Sequence, residues 1–126
     1  MKFSLKKFSI APVIALACFP SSAHKTTPEW IDNAVFYDIY PSSFMDSDGN
    51  GIGDLPGIIS RLDYVKSLGV DAIWMNPIYK SAWFDGGYDI IDYYQVDPRF
   101  GSNRDVKRLV DEAHKRGLKV CLDLVP

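Results

Sequence analysis

The chain has 126 residues, 47% of them hydrophobic and 24% charged, with a formal net charge of −2. That is room for one ordinary domain and well short of the ~250 residues of a complete (β/α)8 barrel. It has no repeat, no low-complexity tract and no basic cluster, which argues against a nucleic-acid partner.

Residues 1–23 read as an export signal. Lys2, Lys6 and Lys7 form a basic start, and Phe8 to Phe19 are apolar apart from Ser9 and Pro12. Ser21-Ser22-Ala23 then offers small residues for cleavage. The apolar run falls short of the ~20 residues that cross a bilayer, so no membrane span is expected. Removal would leave 11 basic against 16 acidic residues, a charge of −5. The expected location is secreted or periplasmic. The alternative is a lipid anchor at Cys18, because Ala15-Leu16-Ala17-Cys18 loosely resembles a lipoprotein cleavage box, with Leu16 one place too late. The other cysteine is Cys121, so the mature segment forms no internal disulfide.

Residues 24–31 form a polar leader without periodicity, and 32–126 carry the fold. Val35 to Tyr40 is β-branched and aromatic and stops at Pro41, which predicts a strand. A Gly/Asp/Asn loop runs from Met45 to Asp54. Ile58, Leu62, Val65 and Leu68 then repeat at helical spacing between Pro56 and Gly69. Val70 to Met75 is a second strand, closed by Asn76-Pro77, and a polar and aromatic excursion follows to Gly101. Ser102 with Asp105 predicts a capped helix whose apolar stripe is Val106, Leu109, Val110 and Ala113, ended by Gly117. Leu118 to Val125 is a third strand.

Alternating strands and helices, with near-continuous apolar strands, predict an α/β fold with parallel pairing: strands one to three and helices one and two of a partial TIM (β/α)8 barrel. The long loops follow strands, where barrels of this class build their active-site rim. A doubly wound open sheet is the alternative, but no Gly-rich turn follows the first strand. With the rest of a barrel missing, Val35, Phe36, Ile73, Trp74, Val120 and Leu122 would face water.

Two loops carry the chemistry. In Asp46-Ser47-Asp48-Gly49-Asn50-Gly51-Ile52-Gly53-Asp54, oxygen side chains at alternate positions and a central carbonyl can wrap a hard cation such as calcium. An EF-hand is excluded, because the twelfth position is Gly57 and a strand leads in. An acidic turn that binds nothing is the simpler reading, yet three crowded carboxylates repel each other without a cation. The second loop is Trp83-Phe84-Asp85-Gly86-Gly87-Tyr88-Asp89-Ile90-Ile91-Asp92-Tyr93. An aromatic face beside a carboxylate suits a sugar ring, although such residues in a loop more often serve packing and turn chemistry. Asp123, ending the third strand, faces either the barrel mouth or a structural partner. His24 and His114 read as neither base nor ligand.

Together these stretches resemble the α-amylase family (glycoside hydrolase family 13), from Trp30 to the last residue, in its oligo-1,6-glucosidase and trehalose synthase-like branches. The matching pieces include Val35 to Pro41, Asp46 to Asp54, Ile73-Trp74-Met75-Asn76-Pro77, Gly87-Tyr88-Asp89-Ile90, Phe100-Gly101 and Asp123-Leu124-Val125. The resemblance implies an exported α-glycosidase acting on α-glucans or α-gluco-oligosaccharides. It implies that Asp46, Asp48, Asn50, Ile52 (through its carbonyl) and Asp54 hold calcium, that Tyr88 stacks on the sugar being cleaved, and that Asp85 grips the non-reducing glucose. Asp123 matches the first residue of the family's strand-three segment. The family's nucleophile, acid and third carboxylate come from strands four, five and seven, so the chain is expected to be a truncated piece, inactive alone. A family transglycosylase or isomerase, and a non-catalytic calcium- or sugar-binding module, are the alternatives.

Overall fold

The computed structural model of the protein describes residues 27–126. The export segment 1–23, Cys18 and the first leader residues lie outside them. Within the leader, Glu29–Ile31 forms one 3-10 turn.

The first strand, β1, is Phe36–Ile39. Pro41, which ends the strand, also opens a four-residue helix, α1 (Pro41–Phe44), because its fixed φ and missing N–H suit a first helical position. After the acidic loop, one expected helix is two: α2 (Leu55–Ser60) and α3 (Leu62–Ser67), hinged at Arg61 with φ −111° and ψ 3°. Ile58, Leu62 and Val65 are buried as the spacing predicts, whereas Leu68 lies past the end of α3 and is exposed. Next come β2 (Ala72–Met75), β3 (Tyr79–Ser81), β4 (Ile90–Val96), α4 (Asn103–Lys115) and β5 (Lys119–Leu122). The predicted capping pair is present at α4: the Asp105 carboxylate accepts from the Ser102 N–H at 2.9 Å and its hydroxyl at 2.6 Å.

β1, β2 and β5 form a parallel sheet in sequence order, with Tyr37, Ile73 and Val120 in one row and Asp38, Trp74 and Cys121 in the next. Each strand lies beside its predecessor, as in a (β/α)8 barrel, and the sheet is open. Because side chains alternate across a sheet, neighbours along a strand cannot share a face. Ile39, Ile73 and Met75 are buried with Val65, Leu109 and Ala113 of the helices, and Val120 and Leu122 pack against that cluster. The expectation that Ile73, Val120 and Leu122 face water is therefore corrected. The opposite face is the exposed one, with Phe36 between Trp30 and Trp74 at 6.1 Å from each ring. Across the helices, Arg116 at the end of α4 binds Asp63 of α3 at 2.6 Å.

The excursion between β2 and α4 is not irregular throughout. β3 and β4 pair as an antiparallel hairpin with register shifts on both sides of Lys80. The run Ile90-Ile91-Asp92-Tyr93-Tyr94-Gln95-Val96 carried a strand signal in its β-branched and aromatic residues. The structure thus places two long loops after strands: residues 46–54 beyond β1 and α1, and residues 82–89 inside the hairpin.

Candidate functional site

The acidic loop folds around its own aspartates. Asp46 accepts the N–H groups of Gly49 at 2.7 Å, Gly51 at 2.8 Å and Asp48 at 3.1 Å. The Gly51 and Gly49 bonds hold its carboxyl below the usual carboxylate range. Backbone donors therefore supply part of the compensation that charge counting assigned to a cation. Asp48 accepts from the Asn50 N–H and side-chain amide, both at 3.1 Å, and Asn50 accepts the Ile52 N–H at 2.8 Å. Asp54 is buried, caps α2 through the Gly57 N–H at 2.6 Å, and binds Ser47 through its N–H and hydroxyl. Gly53 permits the fold-back: a Cβ there would lie 2.2 Å from the Pro41 carbonyl oxygen.

One oxygen each from Asp46, Asp48 and Asp54 lie within 4.8 Å of one another. Oxygens sharing a hard cation at ~2.3–2.6 Å can be at most about 5 Å apart, so the three fit one metal ion. Asn50 and Ile52 belong to the same turn, joined by the Ile52 N–H to Asn50 Oδ1 bond.

A second constellation sits at the C-terminal ends of β2 and β5. Asp123 follows β5 directly, anchored by its N–H to the Met75 carbonyl at 3.0 Å. Its carboxylate accepts from Trp74 Nε1 at 2.6 Å and from the Tyr88 hydroxyl at 2.7 Å. The Tyr88 hydroxyl in turn accepts from Asn76 Nδ2 at 2.7 Å. The bond to Asp123 raises the Tyr88 phenol above its ordinary value, and the Asp38 charge on β1 adds to this. Asn76 Oδ1 is buried without a protein donor among the described residues. The sequence singled out Tyr88 and Asp123, and the structure joins them. It missed Trp74 and Asn76 as partners, although i, i+2 spacing puts both on one face of the strand.

Asp85 stands apart from this network. It is exposed at the loop tip, and its carbonyl closes a turn with the Tyr88 N–H at 2.9 Å. The other acids of the loop are engaged by neighbouring donors. Asp89 binds the Ser81 hydroxyl at 2.6 Å, which with the Phe84 N–H draws its carboxyl down to about 2. Asp92 on β4 accepts the Tyr94 N–H at 2.8 Å. His114 is exposed on α4. A rival groove between β4 and α4, lined by Tyr79, Tyr93, Tyr94, Val106 and Leu122, has no carboxylate or imidazole in its wall. Among the described residues no helix is long and apolar enough to cross a membrane.

The family model for the α-amylase catalytic domain matches residues 38–126. The chain is 59% identical over 99 residues to a trehalose-6-phosphate hydrolase of Bacillus subtilis, covering 79% of this chain and 18% of that one. It is 57% identical over 97 residues to an oligo-1,6-glucosidase of Heyndrickxia coagulans, covering 77% and 18%. Among solved structures, an isomaltulose synthase from Protaminobacter rubrum superposes with a TM-score of 0.76 at 50% identity, over 79% of this chain and 18% of that chain. The chain thus spans less than a fifth of the length of these relatives. They also correct the expectation of export, including the lipid anchor at Cys18: trehalose-6-phosphate hydrolases and oligo-1,6-glucosidases are typically cytoplasmic rather than secreted enzymes.

Proposed function

Because this chain belongs to the α-amylase family of glycoside hydrolases, we propose that residues 32–126 form the first part of a (β/α)8 barrel that cleaves α-glycosidic bonds in α-gluco-oligosaccharides or α-glucans. The observation that carries this reading is the bonded chain Trp74–Asp123–Tyr88–Asn76 at the strand ends, where barrels of this class hold substrate. Tyr88 offers its ring to the apolar face of a glucose unit. Asp123 fixes the phenol, and Asp85 at the exposed tip accepts from sugar hydroxyls. Retaining hydrolysis needs two carboxyl groups about 5–5.5 Å apart, and, of the acids of the 82–93 loop, Asp89 and Asp92 are engaged by neighbouring donors instead. The resemblance to the family puts the reacting pair on later strands of the barrel, and on that reading the 126-residue polypeptide alone has no turnover.

Calcium is the cation we assign to Asp46, Asp48, Asn50, the Ile52 carbonyl and Asp54. All five donors are oxygens, as a hard cation prefers. The ion would offset most of the loop's negative charge and tie the end of β1 and α1 to the start of α2, without touching substrate.

The test is the kcat/KM of the complete barrel protein on isomaltose, maltose and an aryl α-glucoside. Turnover that falls steeply in Tyr88→Ala supports the reading. No turnover of any α-linked substrate would overturn it, as would hydrolysis by the purified 126-residue polypeptide. The similarity to isomaltulose synthase favours a second reading, an isomerase or transglycosylase at the same site. Sucrose as substrate separates the two: isomeric disaccharides mean transfer, and free glucose with fructose means hydrolysis.

A further inference from the structure

The loop that carries Tyr88 is held in a conformation it would not adopt unaided. Trp83 has φ 65°, the one positive value outside glycine among the described residues, and Gly86 and Gly87 follow at 58° and 103°. Such backbone persists only where surrounding bonds over-determine it. Two carboxylates supply those bonds. Asp97, buried at the end of β4, accepts from Trp83 Nε1 and Arg99 Nη1 at 3.0 Å each and from the Ser81 N–H at 3.3 Å. It thus anchors the root of the loop. Asp89 acts closer to the tip. It lies next to Ile90, the residue paired with Ser81, accepts the Ser81 hydroxyl at 2.6 Å, and reaches the N–H groups of Phe84 at 2.8 Å and Asp85 at 3.4 Å. The Ser81 oxygen also accepts the Trp83 N–H at 2.9 Å, so the pair spans the whole strained turn.

We propose that Asp89, with Ser81, is a positioning residue: by clamping residues 82–85 it sets the path of the residue immediately before it, Tyr88, so that the phenol meets Asp123 and Asn76. Asp89 itself contacts no substrate. The inference rests on the reading of Tyr88 as the sugar-contacting residue for its bearing on catalysis, but the clamp can be tested without that reading. An ionised carboxylate suits the role because all its donors are N–H or O–H groups. In Asp89→Asn the amide nitrogen would face one of them, donor against donor.

The experiment is a pH titration of the Tyr88 phenol by ultraviolet difference absorption in the complete barrel protein, assigned by loss of the signal in Tyr88→Phe. In the parent protein Tyr88 ionises above the ordinary tyrosine value. In Asp89→Asn it should return toward that value, with Ser81→Ala shifting it the same way by less. On an aryl α-glucoside, Asp89→Asn should lower kcat/KM by about tenfold or more, because a small misplacement of a positioning group is costly. The same substitution in a Tyr88→Ala background, where no ring is left to position, should cost almost nothing further. An unmoved phenol titration, or full additivity with Tyr88→Ala, overturns the proposal. If Asp89→Asn does not fold, Ser81→Ala is read by the same criteria. A phenol that follows Asp89 in a protein with no glucoside turnover upholds the clamp and overturns only the functional reading.

Discussion

The acidic loop at 46–54, beyond β1 and α1, and the aromatic loop at 82–89, inside the β3–β4 hairpin, are both rich in aspartate and glycine. They use their carboxylates in opposite ways. In the first, Asp46, Asp48 and Asp54 bind local N–H groups yet still turn one oxygen each toward a shared centre, within 4.8 Å of one another. In the second, Asp89 of the loop and Asp97 just after β4 are taken up by donors of the loop and its root, leaving the hydroxyl of Tyr88 to bridge to a different strand. The lesson is that a cluster of acids in a sequence does not define a site. What matters is whether their oxygens converge or are consumed.

The largest effect that would sharpen this contrast is expected at Asp123, the carboxylate that neither loop owns. Asp123→Asn leaves one good acceptor for two donors, Trp74 Nε1 and the Tyr88 hydroxyl. The kcat/KM of the complete barrel on an aryl α-glucoside should fall by about 100-fold, the scale of a misplaced positioning contact. The response of the protein to calcium should not change. Parent-like kinetics would break the assignment of Asp123 to the sugar site.

Next in size is the response to calcium itself. A ligand that binds only the folded state at a hundred times its Kd adds about 2.7 kcal/mol. Calorimetric melts with calcium and with a chelator should differ accordingly, and Asp48→Ala should erase the difference while kcat at saturating substrate stays close to that of the parent. Identical melts would make the loop an ordinary acidic turn, held by its N–H donors alone.

Much of this was legible in the sequence, for reasons that differ by element. β1, β2 and β5 announce themselves as short apolar runs, and α4 by its cap, stripe and closing Gly117. The acidic loop shows in its alternate oxygens because its ligands are local in sequence. The β3–β4 hairpin was not legible, because β3 has only three residues and its register shifts on both sides of Lys80. No alternation could develop, and the Asp89 and Asp97 bonds hold the hairpin instead. Trp74 and Asn76 were invisible as site residues for another reason. Their meeting with Asp123 and Tyr88 depends on how β2 lies against β5, which the pattern of one strand cannot state. The same cause misplaced Ile73 and Val120, whose shared row emerges only once the strands are paired.

A smaller effect should appear in acid. The Asp89 carboxyl is drawn down to about 2, first by the Ser81 hydroxyl, and Asp46 is lowered by the Gly51 and Gly49 N–H groups. A folded-state value below the unfolded one means stability that is fully present above the ordinary carboxylate range near pH 4 and lost as pH falls toward 2. In denaturant titrations without calcium, the parent should weaken across that window. Asp89→Asn should show a shallower decline, because its share of the pH dependence is gone. The two slopes coinciding would mean that the carboxylate is not bonded to Ser81 in solution.

The smallest effect is expected at Asp92, and it separates position in an acidic loop from the bonds a carboxylate makes. Asp92 lies three residues beyond Asp89 and carries the same charge, but among the described residues its carboxylate accepts only the Tyr94 N–H, at 2.8 Å. That donor is two residues away on the same strand, so no segment of the loop is tied to another through it. An asparagine oxygen can accept the same N–H with little change of geometry. Asp92→Asn should therefore alter stability by about 0.5 kcal/mol or less, the ordinary range for a substitution away from core, cap or network. Its kcat/KM should stay within about twofold of the parent, against about tenfold for Asp89→Asn, since it neither clamps the turn nor reaches the strand ends. A loss at Asp92 as large as that at Asp89 would mean that negative charge on this loop matters to the site as a field, and that the clamp geometry is incidental.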